Sequence, residues 1–100
     1  MAKKTATERD FSIAFGHVLK RIRIERGLSQ EAFGNLLGLH RTHIGFLERG
    51  ERNPMLATVY EISVALGQPM DELIQQTVQE YEAHHKAAQR QNGYEPKTTY

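Results

Sequence analysis

From Phe11 onward the apolar residues recur every three or four positions, at Phe11, Phe15, Val18, Leu19 and Ile22, the period of one buried helix face. Asp10 or Ser12 is available as the N-cap of this first helix. Gly27 supplies the left-handed residue that closes it, and Leu28 is placed to fold back onto it. Ser29 is then an N-cap for a short second helix, Gln30–Leu37, whose apolar face is Ala32, Phe33, Leu36 and Leu37 and which stops at Gly38. Only Leu39 and His40 precede a third run, from Arg41 through Ile44, Leu47 and Glu48 to Gly50. Pro54 disfavours the helical conformation at Asn53, so Glu51–Pro54 is a loop. A fourth helix, about Leu56–Leu66, offers Leu56, Val59, Tyr60, Ile62, Ser63 and Leu66 to the interior and ends at Gly67. Pro69 opens a fifth, with Asp71 and Glu72 in its first turn, where the helix dipole favours anions. Leu73, Ile74, Thr77, Val78 and Tyr81 share one side of it.

No segment alternates with the period of a strand, so the expected fold is all-α, five helices joined by short connections. Met1–Asp10 lacks periodicity and reads as a mobile arm, with 11–81 as the folded domain. Beyond Tyr81 only Ala83, Ala87 and Ala88 are apolar. Residues 82–92 therefore read as a helical extension and 93–100 as a tail.

Two short helices separated by a glycine and a tight turn form a helix-turn-helix pattern. If Ile44 and Leu47 face inward, Arg41, Thr42, Gly45 and Phe46 lie on the opposite or flanking faces. Arg41 can set its fork on guanine O6 and N7, and Thr42 can bond a base or touch a thymine methyl. Gly45 has no side chain, and Phe46 can meet only apolar features or pack at the core rim, so the polar groups offered here are those of Arg41, Thr42 and His43.

Charge supports a polyanionic partner. The 100 residues carry a net charge of +1, but ten Lys/Arg face six Asp/Glu up to residue 60 and three face six thereafter, a split of +4 and −3. A basic front half suits phosphates; an acidic rear half does not. With no cysteine there is neither a disulfide nor a thiolate metal site. His84 and His85 are adjacent and point to different helix faces, while His40 and His43 lack a third ligand, so no metal and no cofactor is expected. Ser12, Ser29 and Ser63 have no partnering base, and no enzyme is expected either. No apolar run reaches the roughly 20 residues of a membrane span and no signal-like segment opens the chain, so the cytoplasm is the expected location.

The blocks Arg23…Arg26-Gly27-Leu28-Ser29-Gln30-Glu31, Gly38-Leu39, Ile44, Glu48-Arg49-Gly50…Arg52-Asn53-Pro54, Leu66-Gly67 and Asp71-Glu72-Leu73 resemble the Cro and lambdoid-repressor family of helix-turn-helix domains. Within it, Arg41-Thr42-His43-Ile44-Gly45 followed by Glu48-Arg49-Gly50 is most similar to restriction-modification controller proteins. The resemblance implies a five-helix repressor-like fold with the third helix in the major groove of double-stranded DNA. It implies base contacts at the positions of Arg41, Thr42, Gly45 and Phe46. Phosphate contacts are implied at Gln30, Arg52 and Asn53, with Arg49, Arg21 and His43 as weaker candidates. His40 stands where relatives carry Ser, Thr or Asn as a cap; it can offer a ring nitrogen to the backbone or to a phosphate. Met55 likewise replaces a usual cap. Arg23 and Glu48 match an internal ion pair. The family's dimer contact lies around the fifth helix, whose Met70, Leu73, Ile74, Val78 and Tyr81 offer more apolar surface than a helix end needs. Such a homodimer would control transcription from an inverted repeat. The alternative is an antitoxin-type module whose C-terminal extension wraps a toxin partner while the core binds its operator.

Overall fold

The computed structural model describes residues 5–91, with side chains described to residue 85. It contains α1 (Ala6–Glu25), α2 (Gln30–Leu37), α3 (Arg41–Glu48), α4 (Leu56–Leu66) and α5 (Met70–Gln91), and no strand among the described residues. The all-α, five-helix expectation holds. α1 lies against α3 and α5, α2 against α3 and α4, and α4 against α5. The shared core is Phe15, Val18, Leu19 and Ile22 of α1, Phe33 of α2, Ile44 and Leu47 of α3, Val59, Ile62 and Leu66 of α4, and Leu73 of α5.

The first helix starts earlier than the apolar pattern suggests. Neither Asp10 nor Ser12 caps it. Thr5 does, its hydroxyl accepting from the Glu8 N–H (3.0 Å) while the Glu8 carboxylate accepts from the Thr5 N–H (3.0 Å). This reciprocal box satisfies two end donors without burying anything, so residues 5–10 are not an arm. Residues 1–4, the tail 93–100 and Asn92 lie outside the described residues. At the other end of α1, Gly27 has φ +70°, and Leu28 N–H reaches the Arg23 carbonyl at 3.1 Å, a Schellman closure that tucks Leu28 against the core as expected.

Three expected core residues are exposed: Leu36, Leu56 and Tyr60. Helix α4 is apolar on nearly every side, and burial of Val59, Ile62, Ser63 and Leu66 leaves Leu56, Tyr60 and Val64 outside as a stripe at four-residue spacing. Phe11 is half-buried, its ring 5.4 Å from that of Tyr81. The 82–91 stretch continues α5, and as far as residue 85 it is tied to α1.

Two glycines let α3 sit close against α1. A Cβ at Gly16 would stand 2.4 Å from the Glu48 carbonyl oxygen, and one at Gly50 2.7 Å from Ile13 Cα. Gly50 also has φ +74°, a conformation other residues rarely take. The end of α3 is thereby pressed onto α1.

Candidate nucleic-acid interface

Helix α3 is held by its inner side. Ile44 and Leu47 are 0% and 1% exposed. Beside them Glu48 takes a bidentate hold on Arg23, with Nε donating at 2.5 Å and Nη2 at 3.1 Å, and Arg23 Nη1 donates to the Leu28 carbonyl at 2.7 Å. Gln30 Nε2 adds a third hydrogen bond to Glu48 (3.0 Å). One carboxylate therefore joins the end of α1, the start of α2 and the end of α3. At the turn, a Cβ on Gly34 would lie 2.4 Å from the Leu39 carbonyl oxygen, so the tight approach of α2 to α3 needs glycine there.

With that side fixed, Arg41 and Thr42 project into solvent, His43 and Phe46 are half-buried, and Gly45 is buried. His40 does cap α3: its Nδ1 accepts from the Thr42 N–H at 3.1 Å and lies 2.9 Å from Thr42 Oγ1. A ring nitrogen that accepts carries no proton, so the capping tautomer bears its hydrogen on Nε2, available to an outside acceptor. Met55, in contrast, makes no side-chain cap for α4.

The loop after α3 is more self-engaged than the sequence suggests. Arg49 and Arg52 place their guanidinium carbons 5.3 Å and 5.0 Å from the Phe46 ring centroid, and Arg49 Nε donates to Glu51. Asn53 turns its side chain onto Ser12. The Ser12 hydroxyl donates to the Glu8 carbonyl (2.6 Å) and has only one hydrogen. The Asn53 Oδ1 is the second acceptor around that hydroxyl, so the two carbonyls share its single hydrogen. Gln30 keeps one amide hydrogen beyond the one given to Glu48.

The five α5 residues expected at a dimer contact are not a single exposed patch. Leu73 is fully buried in the core, because α5 docks through it, and it cannot face a second molecule. Met70, Ile74, Val78 and Tyr81 are half-buried. Exposed apolar surface lies instead on α4, where Leu56, Tyr60 and Val64 are 75%, 59% and 62% exposed. An open groove beside them is lined by Tyr60, Val64, Pro69 and Met70 among others. The burial pattern of α4, invisible to a periodicity count in an all-round apolar helix, is what reveals it.

At the far end of α5, Glu80 gathers His17 (3.4 Å), Arg21 (3.5 Å) and His84 (3.3 Å). Partial burial pushes its carboxyl up, but hydrogen bonds from His84, His17 and Arg21 outweigh this and hold it below the ordinary 4.5. Arg21 is thus turned toward α5. His85 sets Nδ1 against the Tyr81 carbonyl (2.8 Å) and Nε2 against Asp10 (3.1 Å), with its ring stacked on Tyr81. Both partners are acceptors, so only the doubly protonated ring satisfies both. The Tyr81 carbonyl and the Asp10 carboxylate accordingly raise its pKa above 6.5. No local pattern announces this seam, since its α1 and α5 partners stand 59 to 75 positions apart. Among the described residues no group of three or more His, Cys, Asp or Glu is arranged to hold a metal, and no helix is long and apolar enough to cross a membrane.

Comparison with known proteins points the same way as the geometry. The helix-turn-helix family matches residues 19–73. The control protein C.MunI of Mycoplasma sp is 42% identical over 65 residues, 64% of this chain and 88% of that protein. C.BamHI of Bacillus amyloliquefaciens is 43% identical over 61 residues, 59% of this chain and 75% of its own length. Among solved structures, the restriction-modification controller protein C.AhdI from Aeromonas hydrophila superposes with a TM-score of 0.60 at 39% identity, covering 62% of this chain and 94% of that one.

Proposed function

The chain belongs to the helix-turn-helix family of transcriptional regulators, of the controller-protein kind, and from that premise we propose that it binds an inverted repeat in double-stranded DNA as a homodimer. The observation that carries this reading is the exposure of Arg41 and Thr42 on a helix whose opposite side is locked by Ile44, Leu47 and the Arg23–Glu48 pair. An eight-residue helix presented this way fits a major groove about 12 Å wide. Arg41 forks onto a guanine and Thr42 contacts the neighbouring base, while His43 and Phe46 touch the flanks.

Phosphates fix the register. His40 Nε2–H, the spare Gln30 amide hydrogen beside the start of α2, the Arg52 guanidinium and the Asn53 loop supply those contacts. A second copy joins through the uncharged Leu56–Tyr60–Val64 stripe with Met70 at its edge. Glu61 is the sole charge on α4, so two stripes meet without a like-charge row. Dimerisation sets the recognition helices about 34–36 Å apart, matching successive major grooves. Occupancy near a promoter then controls transcription through protein concentration.

Selection from a random duplex pool, followed by footprinting, tests this. The enriched site is expected to be a palindrome with half-sites one helical turn apart. On that site Arg41→Ala should cost about 1–3 kcal/mol and relax one base position, while Gln30→Ala should weaken cognate and scrambled DNA alike. Enrichment of no sequence, or equal loss for both variants on both DNAs, would refute the proposal.

A further inference from the structure

Side chains on a helix lean toward its N-terminus and cover the turn before their own. Residue 49 therefore covers residues 45 and 46. At 45 the chain has glycine, and a Cβ there would stand 3.0 Å from Arg49 Nη1. The guanidinium occupies surface that a side chain at 45 would otherwise take. It is steadied there by the Phe46 ring, 5.3 Å from its carbon, and by Glu51, which accepts from Nε. Nη1 and Nη2 have no intramolecular hydrogen bond among the described residues. Arg41, Gly45 and Arg49 succeed one another at four-residue steps, so the two arginines share one side of α3, with the second folded back over its middle.

We infer that Arg49 is a base reader: it supplies the reading group that Gly45 lacks and sets its two η nitrogens on O6 and N7 of a guanine in each half-site. The inference rests on the DNA-binding reading above and adds a specificity position to it. A fork whose Nε is already tied is pre-oriented, and two parallel N–H groups are what guanine's major-groove edge accepts. An arginine serving only as a phosphate contact would gain nothing from a glycine four residues earlier, nor from lying across the middle of the helix.

The test uses the operator enriched by the unaltered protein and a panel of duplexes in which each base pair is changed in turn. Arg49→Ala is expected to lose discrimination at one G·C pair per half-site, by about tenfold to a hundredfold, with other positions unchanged. Arg49→Lys keeps the charge and the salt dependence but has no fork, and should lose the same discrimination. Gly45→Ala leaves Arg49 in place but crowds its guanidinium, and should weaken the preference at that same pair. Circular dichroism checks that each variant keeps its helices. Uniform weakening across the panel with full rescue by lysine makes Arg49 a phosphate contact and overturns the inference alone. So does a panel indifferent to Arg49. Failure of the unaltered protein to enrich any site overturns the DNA-binding reading, and this inference with it.

Discussion

Arg23 and Glu48 meet almost out of contact with water, at 7% and 6% exposure, and Gln30 completes the shell around the carboxylate. Removing one member of such a pair strands the other charge, whereas a surface pair is worth about 0–1 kcal/mol. Arg23→Ala should therefore cost about 3–5 kcal/mol in urea unfolding, and replacing both partners with apolar residues of similar volume should recover much of that loss. A loss below 1 kcal/mol for the single change would mean that the pair is solvated. At this scale much was legible: Arg23 and Glu48 were matched by resemblance, and the inward turn of Ile44 and Leu47 by spacing. The engagements of Asn53 with Ser12 and of Arg49 with Phe46 were not. They depend on where a loop returns in space, and no local pattern encodes that.

At the scale of elements, α5 is clasped to α1 by two groups that titrate in opposite senses. His85 has a raised pKa in the fold, so its contribution is complete below about 6.5 and is lost as pH rises through the folded value. Glu80 has a lowered one, so its contribution holds above about 4.5 and is lost as pH falls through the folded value. The clasp is tightest between those limits. Comparing the unaltered protein with His85→Gln across pH, the stability difference should be present in mild acid and shrink toward alkaline pH; a difference that grows with pH would contradict the two-acceptor geometry. The start of α1 belongs to the same scale. Thr5-Ala6-Thr7-Glu8 is a capping-box sequence, the one signal that could have placed it, since its first turn is exposed and has no apolar rhythm.

For the whole molecule, the proposed homodimer turns on α4. Its Leu56–Tyr60–Val64 stripe is exposed in the single chain, so a charge placed there disturbs no core. Val64→Asp should leave the melting temperature of the monomer nearly unchanged while moving sedimentation toward the monomer and weakening operator binding at equal concentration. Unchanged sedimentation would remove α4 from the dimer seam. Leu73, fully buried, is the opposite case: its truncation to Ala opens the core. The charge split also acts at this scale. Arg21 and His17 are drawn to Glu80 on the side where α1 meets α5, so the acidic half neutralises basic residues there and leaves the cations of α3 and its loop for a polyanion.

The sequence by itself determined the number of helices, the glycine stops of the first four and the inward side of α3, because backbone hydrogen bonding, left-handed glycines and a 3.6-residue period are local properties of the chain. Only the tertiary structure decided which stripe of α4 is buried, that Leu73 belongs to the core, and that Arg49 lies across Gly45. An all-round apolar helix satisfies the same local pattern in several rotations, and packing against neighbours distant in sequence selects one of them.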